Sequence, residues 1–275
     1  MRRELSSVGS CRLKTIKLNM QILKSIKAQL VIYLTCLAIF LAIKDKSLIF
    51  LLTCGLAVFS ALGVESVILY FRTKAWKLTS SSMITGLIIG YVLSSDQAWW
   101  KFPAAGALAI LSKYLIVFKK KHIFNPAAFG IFLTLILFGV STQWKGTYVW
   151  YILLPFGIYF TQKIGRLKIV ISYLLVSLAL FGTQAIAQRI PLGHILGYLS
   201  YFYIFVMIIE PKTSPAKPRG QVIFGAGIAI LIFIFTESAA RFDVELFSLL
   251  VLNLGTVLFF IKKNRTVPLI QKGGA

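Results

Sequence analysis

Residues 119–130 read KKKHIFNPAAFG, so three lysines and a histidine run into Asn125 and Pro126 just before an apolar stretch. An Asn at the start of a helix accepts a hydrogen bond from an orphan backbone N–H. A Pro in the first turn loses nothing, because its missing N–H had no helical partner. The pair therefore predicts a placed helix start, whose free N–H groups and partial positive charge suit a phosphate or a carboxylate. A second stretch of this kind is IIEPKTSPAKPRG at 208–220. Pro211, Pro215 and Pro218 forbid a continuous helix there, Thr213 and Ser214 can cap exposed backbone, and Gly220 permits a close approach. It is either a plain loop carrying basic charge or a loop that dips toward the interior. A third stretch, SSSMITGLIIG at 80–90, is short and rich in small residues, and holds Thr85 and Gly86.

Two ionisable residues fall inside apolar runs. Glu65 is seven residues from Arg72 and Lys113 six from Lys119. At a rise of about 1.5 Å per residue both lie about 10 Å inside the membrane edge. Unpaired charge there is costly, so the two are expected to pair, either lining an ion path or locking two helices; Lys113 could instead snorkel to the interface. Asn253 is a lone amide in an apolar helix, suited to a hydrogen bond across the bundle or to a cofactor. His122 is expected at the interface, and neither it nor His194 has a metal-ligand companion at i+4. Cys11, Cys36 and Cys54 make no close-spaced motif and are expected to be inert thiols. No Ser/His/Asp constellation, phosphate loop or paired-carboxylate site is present, which argues against hydrolytic chemistry.

The elements that must position these residues follow from composition. Of 275 residues 58% are hydrophobic and only 8 are acidic, and mean hydropathy is +0.83. Such a chain belongs in a bilayer. Its apolar runs are continuous rather than alternating, so the predicted fold class is all-α, a polytopic membrane protein with about ten transmembrane helices. They fall near 28–43, 48–71, 80–95, 98–118, 124–141, 147–161, 168–187, 192–209, 221–237 and 244–261. The third, sixth and eighth are shorter than the roughly 20 residues of a full span and are expected to be tilted, broken or re-entrant. Most of the 30 basic residues fall on one side of this topology. That predicts both termini in the cytoplasm and an inner (cytoplasmic) membrane location, and it removes the nucleic-acid reading of the +22 charge.

Residues 1–27 are expected to be uncleaved and to form a basic amphipathic segment on the inner leaflet. Residues 28–262 form one transmembrane domain, with 263–275 as a cytoplasmic tail. AGALAIL at 105–111 echoes AGIAIL at 226–231, five spans later. An odd offset reverses direction through the bilayer, which predicts two inverted five-helix repeats, 28–141 and 147–262, with the functional site at their junction.

In order and approximate spacing SMITGLIIG, WWKFPAAGALAILSK, IFNPAAFG, EPKTSPAKPRGQVIFGAG and LLVLN resemble the family of the Rnf complex D subunit and the Nqr complex B subunit. The resemblance implies a ten-helix flavoprotein that carries FMN or another flavin within an ion-motive redox complex. Its partners would be other membrane subunits and a soluble flavin- or ferredoxin-type reductase, and the ion moved would be sodium or protons. It implies a cofactor site drawn from Thr85, Gly86, Asn125, Pro126, Glu210, Thr213, Ser214, Gly220 and Asn253. The family's long insertion, with the Thr esterified to FMN phosphate, is reduced here to VSTQWKGT at 140–147, leaving Thr142 as a poor stand-in. Glu210-Pro211 stands where the family has Asp-Pro. A solute or ion channel on the same inverted-repeat scaffold, without a redox group, is the competing expectation.

Overall fold

The computed structural model describes residues 25–119, 121–191 and 193–265. Most of the predicted amphipathic segment, together with Cys11, Lys120 and residues 266–275, lies outside the described residues. Among the described residues ten α-helices follow in order: α1 (Ile26–Lys44), α2 (Leu48–Thr73), α3 (Ser80–Val92), α4 (Lys101–Leu115), α5 (Pro126–Phe138), α6 (Trp150–Lys163), α7 (Leu167–Ala187), α8 (Gly193–Tyr198), α9 (Pro218–Glu237) and α10 (Val244–Arg265). Among the described residues α1, α2, α7 and α9 are both long and apolar enough to cross a bilayer, with mean hydropathies of 2.2, 2.1, 2.0 and 1.9. This is a helical, polytopic membrane protein.

Three local features bear on the sequence reading. The chain is not strictly all-α: Val117–Phe118 and Lys121–His122 form a two-stranded antiparallel ladder after α4, and Lys119 between them takes the left-handed conformation. The eighth segment, 192–209, expected to be tilted, broken or re-entrant, is broken. α8 ends at Tyr198, helix resumes after Ser200, and Tyr203–Met207 is π-helical, with Ile208 N–H donating to Tyr203 O at 3.1 Å. That five-residue step widens the helix where it is most crowded, since Phe202 through Ile209 are all buried. Finally, residues 140–147 are not a bare link. Ser94 N–H donates to Ser141 O at 3.0 Å and Gln143 N–H to Val92 O at 2.8 Å, so the connection lies along the end of α3.

Close packing rests on small residues, as expected where lipid tails give no hydrophobic drive between helices. A Cβ at Gly86 would collide with the Val58 backbone, which presses α3 onto α2. Gly130 of α5 lies against Ala105 O of α4, and Gly225 of α9 against Ile169 and Ser172 of α7. With Gly86 and Gly90 against α2, residues 85–92 of α3 are all buried. The core thus surrounds two short interior elements, α3 and Tyr201–Ile209.

Candidate functional site, a polar junction inside the bundle

Asn125 caps α5 as its type and position demand: its Oδ1 accepts from Ala128 N–H at 3.1 Å, and Pro126 follows at the first helical position. Its other groups reach distant parts of the chain. Asn125 N–H donates to Asn253 Oδ1 at 2.9 Å, and Asn125 Nδ2 donates to Met207 O at 3.3 Å. Asn253 Nδ2 donates in turn to Thr213 O at 3.5 Å. Asn125 is 3% exposed and Asn253 fully buried, so these bonds form out of water. Asn253 lies nine residues into α10, about 13 Å from its start, so α5 begins deep in the bundle rather than at its edge.

The proline-rich stretch folds inward onto this point, with Thr213 and Ser214 buried. Ser214 N–H and Oγ both donate to Glu210 O, at 3.0 and 2.6 Å, which closes a turn that the three prolines prevent from becoming helix. Arg166, just ahead of α7, clamps it: Nε donates to Ser214 Oγ at 2.9 Å and Nη2 to Pro211 O at 3.2 Å. Burial pulls the Arg166 guanidinium below its ordinary range. Gln221 donates to Gly165 O at 2.8 Å and Ala216 O at 3.2 Å, holding the far side. Gly220 is needed because a Cβ there would sit 2.9 Å from Pro215 Cβ. His122 is buried within the protein and its Nε2 lies 3.1 Å from Glu210 Oε1, a pairing that no local pattern announces. Thr213 Oγ1 donates to the other oxygen, Glu210 Oε2, at 3.2 Å.

Glu65 and Lys113 are ion-paired, with Thr79 and Tyr114 also donating to the carboxylate and Lys113 donating to Ser81 Oγ at 3.2 Å. Lys212 directly precedes the buried Thr213 and is itself exposed. Burial lowers its affinity for a proton first, and the neighbouring Lys27 and Lys113 lower it further, against the pull of Glu210 and Glu65. The structure does not bring Thr85 and Gly86 into the hydrogen-bonded network. Thr85 Oγ1 donates back to Ser81 O at 3.0 Å, and Gly86 is a packing position. Thr142 is likewise elsewhere, its Oγ1 donating to Asp243 Oδ2 at 2.8 Å.

The stretch from residue 143 onward, which supplies Arg166, Glu210, Thr213, Ser214, Gln221 and Asn253, matches the model of the NQR2, RnfD, RnfE family over residues 143–265. The SMITGLIIG and IFNPAAFG blocks precede the matched region. Two relatives, each named as the D subunit of an ion-translocating oxidoreductase complex, are similar to the chain. The one from Aeromonas hydrophila subsp. hydrophila is 34% identical over 124 residues, 42% of this chain and 35% of the relative. The one from Aeromonas salmonicida is 33% identical over 94 residues, 32% of this chain and 27% of the relative. The matched parts thus span about a third of the length of these relatives.

A flavin, the group this family implies, can be tested against the donors present. Inside the junction most side-chain groups satisfy one another: the buried side-chain atoms without partners among the described residues are on Thr161, Ser177, Glu245 and Ser248, and of these Thr161 adjoins the clamp, its carbonyl accepting from Arg166 N–H at 2.9 Å. At the rim Lys212, next to the buried Thr213, is exposed and offers a positive charge to an anion. Thr142 does not fit a phosphate ester, since its hydroxyl is committed to the Asp243 carboxylate, which would repel a phosphate.

Proposed function

We propose that this chain is a membrane subunit of an ion-translocating oxidoreductase complex, and that a non-covalent flavin docks at the rim of the Asn125 junction with its anionic end toward Lys212. The observation that carries the reading is the return of Glu210–Gly220, within the family match, onto the buried start of α5. The names of the relatives add that such subunits work in a complex. A flavin supplies one- and two-electron transfer. The chain's own residues hold the acceptor end: Arg166 and Gln221 fix the loop, Asn253 and Asn125 fix its floor, and Lys212 offers charge. Electrons would come from a soluble flavin- or ferredoxin-type reductase and leave through other membrane subunits, with sodium or proton movement coupled to that flow.

We further read the chain as ten spans in two inverted repeats, with both termini cytoplasmic in the cell's inner membrane. Packing supports this. α2 meets α4 as α7 meets α9, α4 meets α5 as α9 meets α10, and α1 meets α3 as α6 meets Tyr203–Met207.

The test is gentle purification followed by absorbance, flavin fluorescence and the mass of any released cofactor, with FMN and riboflavin titrated into whatever preparation results. Bound or rebound flavin whose affinity falls at least tenfold in Lys212→Glu is the expected result. A colourless protein that takes up neither flavin overturns the flavin assignment.

A further inference from the structure

α7 and α9 pack side by side and run in the same direction. Gly225 of α9 lies against Ile169 and Ser172 near the start of α7, the Phe181 and Phe233 rings meet at 5.2 Å, and Gln184 near the end of α7 donates to Glu237 at the end of α9. Both helices are long and apolar enough to cross a bilayer, so their first turns share one of its boundaries. There an open groove of about 370 Å³ is lined by Lys168, Pro218, Arg219, Val222 and Ile223.

The groove joins two cations to an apolar wall. Lys168 and Arg219 are exposed, and neither enters an ion pair or a side-chain hydrogen bond among the described residues. No acidic residue stands in the first turn of either helix, and neither start has a side-chain cap. Two positive side chains thus sit at the positive ends of two helix dipoles, an arrangement that an anion relieves. Beneath each cation, exposed apolar residues recur at helical spacing on one face. Ile171, Leu175 and Leu178 follow Lys168, and Ile223, Ile230 and Ile234 follow Arg219. Leu175 is 64% and Ile223 70% exposed, so these tracks are open to hydrocarbon chains. A soluble anion would leave the tracks unused, and an acidic protein would have to enter the hydrocarbon layer to reach them. A phospholipid with its phosphate between the cations and its chains along the tracks meets both parts of the groove. Basic pockets between transmembrane helices hold lipid headgroups on this principle.

We infer that the groove between Lys168 and Arg219 is a binding site for one anionic phospholipid, its phosphate held by both side chains. The inference is independent of the redox reading, because neither side chain takes part in the Asn125 junction, and it stands whether or not flavin is found.

The test titrates the purified full chain in detergent with phosphatidylglycerol or phosphatidylcholine and counts bound lipid by native mass spectrometry. Phosphatidylglycerol is expected to bind in preference to phosphatidylcholine. Its affinity should fall about fivefold in Lys168→Gln or Arg219→Gln and about thirtyfold in the double variant, from the attraction of each basic side chain to an anionic lipid. Lys74→Gln combined with Lys77→Gln removes as much charge from exposed positions outside the groove and should leave the affinity unchanged. Equal binding of the two lipids, or an equal loss when Lys74 and Lys77 are changed, overturns the assignment. So does full displacement of the lipid by inorganic phosphate or polyglutamate at the same concentration, which would mark a site for a free anion or an acidic partner. Should the double variant not fold, the two single variants decide, and unchanged affinity in both refutes the site.

Discussion

Replacing Asn253 by Leu removes the acceptor for Asn125 N–H, which is bonded at 2.9 Å, and the weaker contact at 3.5 Å to Thr213 O. A buried backbone donor left without a partner costs about 1–3 kcal/mol. Hydrogen bonds between membrane helices measure lower, about 0.6 kcal/mol on average and about 1.7 at most. The upper part of that range applies here, because the orphaned N–H belongs to a buried helix start, so the expected loss is about 1.5 kcal/mol, roughly tenfold in the folding equilibrium. Thr256→Val on the same helix is the control, since Thr256 Oγ1 donates only to Asn253 O, at 2.7 Å within its own helix. Reversible unfolding in bicelles, followed by tryptophan fluorescence, gives both numbers. If Asn253→Leu costs no more than Thr256→Val, the junction is not held by this bond and the account of its floor fails.

Other outcomes follow from the same structure. Gly86→Ala drives a methyl into the Val58 backbone and should cost about 1–3 kcal/mol, whereas Gly63→Ala, with open space around it, should be neutral; thermal unfolding separates them. Breaking the Glu65–Lys113 pair with Glu65→Gln alone should cost about 3–5 kcal/mol, and the double change with Lys113→Met should recover most of it. Additive losses in the double variant would argue against pairing. Burial works to raise the Asp45 carboxyl, but the Tyr148 hydroxyl and the Lys145 and Lys44 amines prevail and hold it below the usual range. A depressed folded value means stability that is present above the ordinary carboxylate range and lost as pH falls through the lowered value. The thermal midpoint of Asp45→Asn should therefore trail the wild type at neutral pH and converge with it in acid; a gap that widens on acidification contradicts this.

Much of the architecture was legible in the chain because its causes are local. Long apolar runs mark membrane helices whatever they pack against, and Asn125-Pro126 marks a helix start because capping acts within one turn. Three prolines interrupt helix at 208–220 through their own missing N–H groups. The need of Glu65 and Lys113 for each other follows from the cost of unpaired charge in an apolar run. Tertiary structure alone decided what meets what. Asn125 finds Asn253, 128 positions away, and His122 finds Glu210 across 88, with no sequence pattern to link them. The break after Tyr198 and the π-helical turn arise where every side chain from Phe202 to Ile209 is buried, so packing on all sides outweighs the local preference for a continuous α-helix. Glu245 looks from sequence like an ordinary acid in a first turn. Only the folded bundle leaves its oxygen without water or a partner. Contacts between distant residues depend on how helices cross, which no single segment encodes.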